Sequence, residues 1–168
     1  WLNEFGDFSG GRASAGAAAG TDEAATIIHN PASATRIEGN QLFGSVAALV
    51  PGQKFNVQES SPLVGDDNGG QAGQFTPGAS LAYVFDNGWT NWSTGLSVEG
   101  LAGAGLNYND DWVGRYQATE VNLLVLAVGA TLAYQVTDNF SIGVKPQVFY
   151  STLTQKLRLP SSLITGRE

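Results

Sequence analysis

From Gln41 onward, apolar and polar residues alternate with a period of two, the pattern expected of β-strands. On the second alternating segment, Leu81 and Phe85 share one face, whereas Ser80, Ala82 and Val84 lie on the other. The pattern predicts five strands, over residues 42–50, 75–85, 92–108, 120–136 and 140–158.

The third of these strands is long and has three glycines in its second half. Leu96, Val98 and Ala102 are predicted to share its apolar face, opposite Ser97 and Glu99. The glycines are Gly100, Gly103 and Gly105. Because glycine weakens a strand and marks bends or close backbone approach, we predict a bend here, with simple curvature of the sheet as the alternative.

The connections between the strands alternate in length. A long polar connection over 57–74 is followed by a tight one at Asn87-Gly88, then by a long one, "NDDWVGRYQAT", and by a tight one, "TDN". Short periplasmic turns and longer outside loops alternate in this way in outer-membrane barrels, and aromatic residues near the strand ends fit their interfacial girdles. On this interpretation residue 1 starts on the periplasmic side.

A soluble antiparallel sandwich is the alternative to a membrane barrel, since alternating strands and short turns suit both. Strands of about 15 residues and a charged fraction of 14%, against roughly 25% in soluble domains, favour the barrel. Barrels start at about eight strands, so five cannot close one. We therefore expect the front part of a longer barrel, or a chain that other chains complete.

Composition excludes several kinds of site. The net charge of −7 and the scattered basic residues argue against a nucleic-acid surface. The chain has no Cys, which excludes a disulfide framework and a thiolate metal site.

The fold class that we predict is all-β: a transmembrane antiparallel β-barrel, preceded by an N-terminal segment.

Residues 1–40 form that segment, ahead of the strands and loops of 41–168. It is rich in Ala and Gly, and its glycines interrupt any long helix. We expect a compact coil with short helical turns, one of them over residues 22–28 with Thr21 as its cap.

Motifs along the whole chain resemble one family. They are "LNEF" at 2–5, "GGRASAG" at 10–16, Asp22, "NPA" at 30–32, "NYNDDWVGRYQAT" at 107–119 and "LAYQVTDNFSIGVKPQV" at 132–148. Together they resemble the FadL-type outer-membrane transporters of long-chain fatty acids and hydrocarbons. The resemblance covers essentially the whole chain but only the front part of a typical member.

The resemblance implies a monomeric barrel of about fourteen strands with residues 1–40 inside it as a hatch, or plug. It implies that a hydrophobic small molecule binds between hatch and wall and leaves sideways through a gap near a kinked third strand. Asn30, Pro31 and Ala32 would lie on the hatch beside that kink. Pro31 suits a rigid corner, and Asn30 could satisfy backbone groups of the strand that the kink leaves unpaired.

Three residues at the start of the chain are further candidates for contact with the ligand: Trp1, Leu2 and Phe5. Packing of the hatch is the competing role for Phe5. Two mid-strand charges, Glu99 and Lys145, lie on predicted non-lipid faces, where they either line a path or form a salt bridge to the hatch.

The remaining chemistry is sparse. His29 is the only histidine, and no serine spacing marks a nucleophile, so we predict no enzyme and no cofactor. The oxygen-rich runs at 66–68 and 109–111 are either solvated loops or Ca²⁺ ligands.

The sequence therefore predicts transport of hydrophobic small molecules in a bacterial outer membrane, with that ligand and membrane lipid as partners. The competing hypothesis is a scaffolding β-element of a larger membrane assembly that does not transport.

Overall fold

The structure is a computed structural model that describes residues 15–19, 23–59 and 64–160. Within them, two short 3-10 helices, Ala24–Ile28 and Pro31–Arg36, precede all the strands. The predicted helical turn is thus confirmed for residues 24–28. Its proposed cap, Thr21, lies outside the described residues.

The six strands belong to one sheet. They are β1 (Gln41–Leu49), β2 (Thr76–Phe85), β3 (Trp92–Asn107), β4 (Glu120–Thr137), β5 (Phe140–Val144) and β6 (Gln147–Lys156). The sheet order is β1-β2-β3-β4-β5, and β6 also pairs with β4. The registers of β2 with β3 and of β4 with β5 are antiparallel, which confirms the predicted antiparallel sheet.

The predicted fifth strand is divided into two at Lys145 and Pro146. Proline has no N–H for the ladder, so a strand is interrupted where it occurs. The carbonyl of Pro146 still accepts a hydrogen bond of 3.2 Å from the amide of Ala130 on β4. The interruption therefore leaves Lys145 next to β4 without placing it in a ladder.

By contacts between residues, the chain divides into two compact units. Unit 1 comprises Trp1–Ala47, Pro77–Ala102 and Val125–Ser151. Unit 2 comprises Ala48–Thr76, Gly103–Leu124 and Thr152–Glu168.

In unit 1 the exposed face of the strands carries large apolar side chains, whereas the buried face carries mainly small ones together with Val84. Leu81 and Val98 are 48% and 42% exposed, whereas Ala82, Val84 and Ala133 are buried. The buried face packs with the 3-10 helices in one cluster, which includes Ile27, Ile28, Ala34 and Ile37. Exposed rows of large apolar residues require an apolar environment, so the strand faces match those of a membrane barrel.

The alternation of burial fails twice in β3, at Glu99 and Gly100 and again between Ala102 and Gly105. Glu99 and Gly100 are both buried although they are neighbours. Ala102 is 6% exposed, so its predicted position on the exposed face with Leu96 and Val98 is wrong. A strand whose side chains alternate regularly cannot bury two successive residues on one face, so β3 departs from regular geometry here.

The predicted short connection between β2 and β3 is confirmed, but the turn itself falls at Thr90 and Asn91, and of the predicted Asn87-Gly88 pair only Gly88 has a positive φ. Gly88 has φ of +62°. Its amide donates to Asp86 Oδ1 at 3.1 Å, and Asn87 Nδ2 donates to Thr94 Oγ1 at 2.6 Å. Side-chain oxygens of Asp form such turns readily, which ends β2 close to the start of β3.

Unit 2 is organised around Trp112 in the 107–119 loop. Its ring stacks on Tyr108 with centroids 3.9 Å apart and meets the edge of Phe55 at 5.7 Å. The indole N–H donates to the carbonyl of Ala118 at 2.9 Å. Arg115 Nη1 donates to the carbonyl of Val64 at 2.7 Å, which ties the loop to the preceding connection.

Asp67 links the connection that precedes β2 to the 107–119 loop, both in unit 2. Its carboxylate accepts from the amide of Gly69 at 2.7 Å and from Asn109 Nδ2 at 3.1 Å. These donors hold the pKa of Asp67 below its ordinary value of 3.8, the Gly69 amide having the larger effect.

Within the described ranges, no helix is both long and apolar enough to span a bilayer.

Substitution of Gly69 tests the packing of the aromatic cluster, which consists of Phe55, Tyr108 and Trp112. Gly69 has φ of +78°, and a Cβ there would lie 2.5 Å from Tyr108 Cδ1. Gly70 has φ of +72° but has no atom near its Cβ position. We expect Gly69→Ala to raise trypsin cleavage after Arg115 by roughly tenfold over Gly70→Ala, because only Gly69→Ala adds a clash to the backbone strain. Equal cleavage of the two variants would contradict this packing.

The pKa of Asp67 gives a second prediction. A lowered pKa means that the contacts of the carboxylate favour the folded loop above pH 3.8 and are lost as the pH falls through the lowered value. We expect the ¹³C carboxyl resonance of Asp67, assigned with Asp67→Asn, to titrate below 3.8. In Asn109→Ala the midpoint should rise only part of the way, because the Gly69 amide remains. A midpoint at or above 3.8 in the unsubstituted protein would refute the contacts.

Candidate functional site

Four residues of the site predicted from the sequence, Asn30, Pro31, Ala32 and Gly100, lie in unit 1, where the N-terminal segment (described residues 15–19 and 23–40) meets the strands. Asn30 separates its two 3-10 helices. Its backbone is extended, with φ −137° and ψ 96°, and its Oδ1 accepts from the amide of Ala32 at 3.1 Å. Pro31 occupies the first helical position, where its missing N–H costs nothing. The Asn-Pro pair therefore ends one helix and starts the next.

Asn30 also fixes the rest of the N-terminal segment. Its Nδ2 donates to the carbonyl of Ala18 at 3.0 Å, and its carbonyl accepts from Ser33 Oγ at 2.7 Å. Ser33 Oγ in turn accepts from Thr26 Oγ1 at 2.8 Å, and both of these side chains are buried. These Asn30 side-chain bonds stay within the segment, whereas the sequence had suggested bonds to strand backbone.

The Asn-Pro-Ala corner contacts β5 in the structure, whereas the resemblance implied a position beside the third strand. A Cβ on Gly143 would be 2.7 Å from the carbonyl carbon of Pro31 and 2.8 Å from the Cα of Ala32. Beside this contact, Thr35 Oγ1 donates to Ser141 Oγ at 2.8 Å. Only a glycine lets the two backbones approach so closely. An isolated glycine within a strand is a signal of such an approach that the sequence contains, although Gly143 is not among the residues predicted to form the site.

The 24–28 helix lies against β3 through a second glycine. Ile27 is fully buried, and a Cβ on Gly95 would lie 2.8 Å from its Cδ1 and 2.8 Å from the carbonyl of Tyr83. Thr131 on β4 lines the same place, with its Cβ 3.7 Å from that position. Gly95 and Gly143 thus leave the space in which the N-terminal segment sits.

The two charges predicted on inward faces form an ion pair. Lys145 Nζ lies 2.8 Å from Glu99 Oε1, and the two side chains are only 8% and 9% exposed. Lys145 Nζ also donates to the carbonyl of Ile28 in the N-terminal segment. Of the two roles considered for these residues, the structure shows the salt bridge and its contact with the segment.

The predicted glycines of β3 divide between the units. Gly100 is buried in unit 1, next to Glu99. Gly103 and Gly105 belong to unit 2. A Cβ on Gly105 would lie 3.0 Å from the Cβ of Gln74 and 3.1 Å from Asn122 Oδ1, so this glycine permits close packing within that unit.

The pairing of β2 with β3 is interrupted. In unit 1 the register runs from Phe85 with Thr94 to Ser80 with Glu99. In unit 2 pairing with the end of β3 is found again just before β2, where Gly73 bridges Leu106 and the amide of Gln74 donates to the carbonyl of Gly105 at 3.0 Å.

A groove of about 310 Å³ lies on the exposed apolar side of unit 1 at the level of Ser80. It is lined by Gly44, Ser45, Val46, Ala79, Ser80, Leu81 and Val98.

The remaining candidate residues add no described contact to this site. Trp1, Leu2 and Phe5 lie outside the described residues. His29 is exposed at the end of the 24–28 helix, where its amide donates to the carbonyl of Thr26. Asp110 pairs with Arg158. Across residues 15–19, 23–59 and 64–160, no three His, Asp or Glu side chains gather as a metal ion would require.

Comparison with known proteins identifies the fold and the family. A crystal structure of a Pseudomonas aeruginosa FadL homologue matches with a TM-score of 0.60 and 20% sequence identity. The match covers 79% of this chain and 33% of that one, so this chain spans about a third of the length of the matched protein. The search of curated proteins gave no match.

The family comparison covers nearly the whole sequence. The model of the family described as "Outer membrane protein transport protein (OMPP1/FadL/TodX)" matches residues 1–162. This agrees with the resemblance carried by the sequence motifs and with the partial antiparallel sheet. The chain therefore belongs to the OMPP1/FadL/TodX family of outer-membrane transport proteins.

Proposed function

We propose that the protein containing this chain moves long-chain fatty acids or hydrocarbons across the outer membrane, by binding them beside the N-terminal segment and releasing them laterally. Family membership supports outer-membrane transport of hydrophobic molecules. The observation that carries the proposal is the packing of the 3-10 helices on the small-residue face of strands whose other face exposes large apolar residues. Such an arrangement suits a segment inside a lipid-embedded wall.

In this proposal residues 1–40 are the hatch, and residues 41–168 supply the first strands of the wall. The N-terminus is periplasmic, and the long connections around 57–74 and 107–119 are outside. Trp1, Leu2 and Phe5 of the hatch contact the ligand. Transport requires no bond-making step, since burial of each ligand methylene supplies about 0.8 kcal/mol.

Two features of unit 1 support a lateral exit. The β2–β3 register is interrupted beyond Ser80 and Glu99, and gaps in the pairing of a membrane wall are tolerated only beside protein or a cavity. The groove that includes Ala79, Ser80 and Leu81 lies at the same level on the apolar side. We propose that β3 bends at Gly100, Gly103 and Gly105 to open the exit here, and that Asn30, Pro31 and Ala32 act as its gate.

Uptake by intact cells tests the function. Cells that lack the gene and cells that express the full-length protein are given radiolabelled oleate or hexadecane, with a hydrophilic sugar of similar mass as the control solute. We expect expression to raise the initial rate for at least one apolar solute by roughly tenfold or more and to leave the sugar rate unchanged. Unchanged apolar uptake with a normally folded barrel would reject transport in favour of a scaffolding role.

The seat of the Asn-Pro-Ala corner gives a separate prediction. Gly143→Ala would place a Cβ within 2.8 Å of the Ala32 Cα, whereas a Cβ at Gly52 meets nothing within 4 Å. Overpacking of this kind costs about 1–3 kcal/mol, so we expect Gly143→Ala to displace the hatch and lower apolar uptake several-fold. Gly52→Ala should behave as the unsubstituted protein. Heat-modifiable migration on gels would show that both barrels have folded, and equal uptake by the two variants would contradict the proposed gate.

A further inference from the structure

We propose that Lys145 and Glu99 form a latch that holds the 24–28 helix against the wall, and that they act in transport as positioning residues without contacting the ligand. The part that concerns transport rests on the proposed function, whereas the latch itself does not. The latch is defined by Lys145, Glu99 and the backbone carbonyl of Ile28.

The position of Lys145 follows from the interruption between β5 and β6. It precedes Pro146, where the ladder is broken, and its side chain is 8% exposed. A lysine buried to this degree needs acceptors for its ammonium group. It has two on different elements, the carboxylate of Glu99 on β3 and the carbonyl of Ile28 in the N-terminal segment.

Glu99 orients that ammonium group. Its Oε1 accepts from Lys145 Nζ at 2.8 Å, from Gln147 Nε2 at 3.0 Å and from Ser97 Oγ at 3.3 Å. A carboxylate with three donors holds its geometry, since charge-assisted hydrogen bonds are short and strong. Glu99 therefore keeps Lys145 Nζ directed at the carbonyl that ends the 24–28 helix.

The Ile28 carbonyl is well suited to accept a hydrogen bond from Lys145. Ile28 is the last residue of its helix, where carbonyls lack partners within the helix. A cation is a strong donor to such a group, and the contact is made to backbone, so it depends on where the helix lies. Movement of the helix away from β3 would break this bond and leave the Lys145–Glu99 pair intact.

The latch also lies where the β2–β3 register stops. Glu99 is the partner of Ser80, the last pair of that register. Displacement of the 24–28 helix would thus change the surroundings of Glu99, where the β2–β3 register in unit 1 is interrupted. This placement allows the position of the N-terminal segment to influence the proposed exit.

Hydrogen exchange of the full-length protein in detergent, followed by mass spectrometry over residues 23–37, tests the latch. Lys145→Met removes the donor, and we expect exchange in the 24–28 helix to become roughly tenfold faster. The matched control is Lys156→Met, because Lys156 pairs with Glu120 at 2.5 Å but is 63% exposed. It should leave exchange in the helix unchanged.

The double variant Lys145→Met with Glu99→Gln separates a latch from an ordinary structural ion pair. It leaves no unpaired charge buried, so the barrel should fold as judged by heat-modifiable migration. A latch predicts that exchange over residues 24–28 stays fast, since the Ile28 carbonyl still lacks its donor. Lys145→Arg keeps a cationic donor at this position, so hydrogen exchange over residues 24–28 should stay as slow as in the unsubstituted protein. A return to slow exchange in the double variant would overturn the proposal.

Uptake kinetics then test the role in transport. In the double variant we expect the maximal rate of apolar uptake to change several-fold at an unchanged half-saturation concentration, because positioning is altered and ligand contacts are not. A shift in half-saturation alone would overturn the positioning role. If the unsubstituted protein takes up no apolar solute, the proposed function fails, while the exchange result still decides whether the latch exists.

Discussion

The close approach of the N-terminal segment to the backbone of β3 and β5 is the constraint on which unit 1 depends. At Gly95 and Gly143, any Cβ would occupy the space of Ile27 or of the Asn-Pro-Ala corner. The strands must therefore carry glycine at these two contacts, and Ala82 and Ala133 are likewise small and buried. The large apolar residues are left for the other face, where a membrane can solvate them.

Polar groups inside such a wall have to be satisfied by specific partners. Asn30 satisfies backbone groups of its own segment, and Thr26 and Ser33 bond to each other. Lys145 and Glu99 extend this network from the wall to the segment. Because a buried charge without a partner is costly, this network favours the position of the 24–28 helix in which Lys145 reaches the Ile28 carbonyl.

Family membership gives these contacts their functional context. The chain matches the outer-membrane transport family over residues 1–162 but spans about a third of the matched FadL homologue. What this part supplies is the N-terminal segment, the strands that hold it and an interruption in one strand pairing. The aromatic cluster around Trp112 in unit 2 has a different role, since it stabilises a long connection through stacking and backbone hydrogen bonds.

The sequence by itself determined the strands, their apolar faces and the tight turns, because these depend on neighbours along the chain. Side chains alternate by covalent geometry, and the short connection between β2 and β3 needs only local conformations. Two exceptions are Ala102, which is buried where β3 is irregular near Gly100, and the fifth predicted strand, which is divided at Lys145 and Pro146. Only the tertiary structure decided what the inward residues contact. Thr35 and Ser141 are 106 positions apart, and Lys145 and Ile28 are 117 apart. Such pairs depend on how distant segments pack, and the alternation of a strand shows which side a residue faces but not which segment lies there.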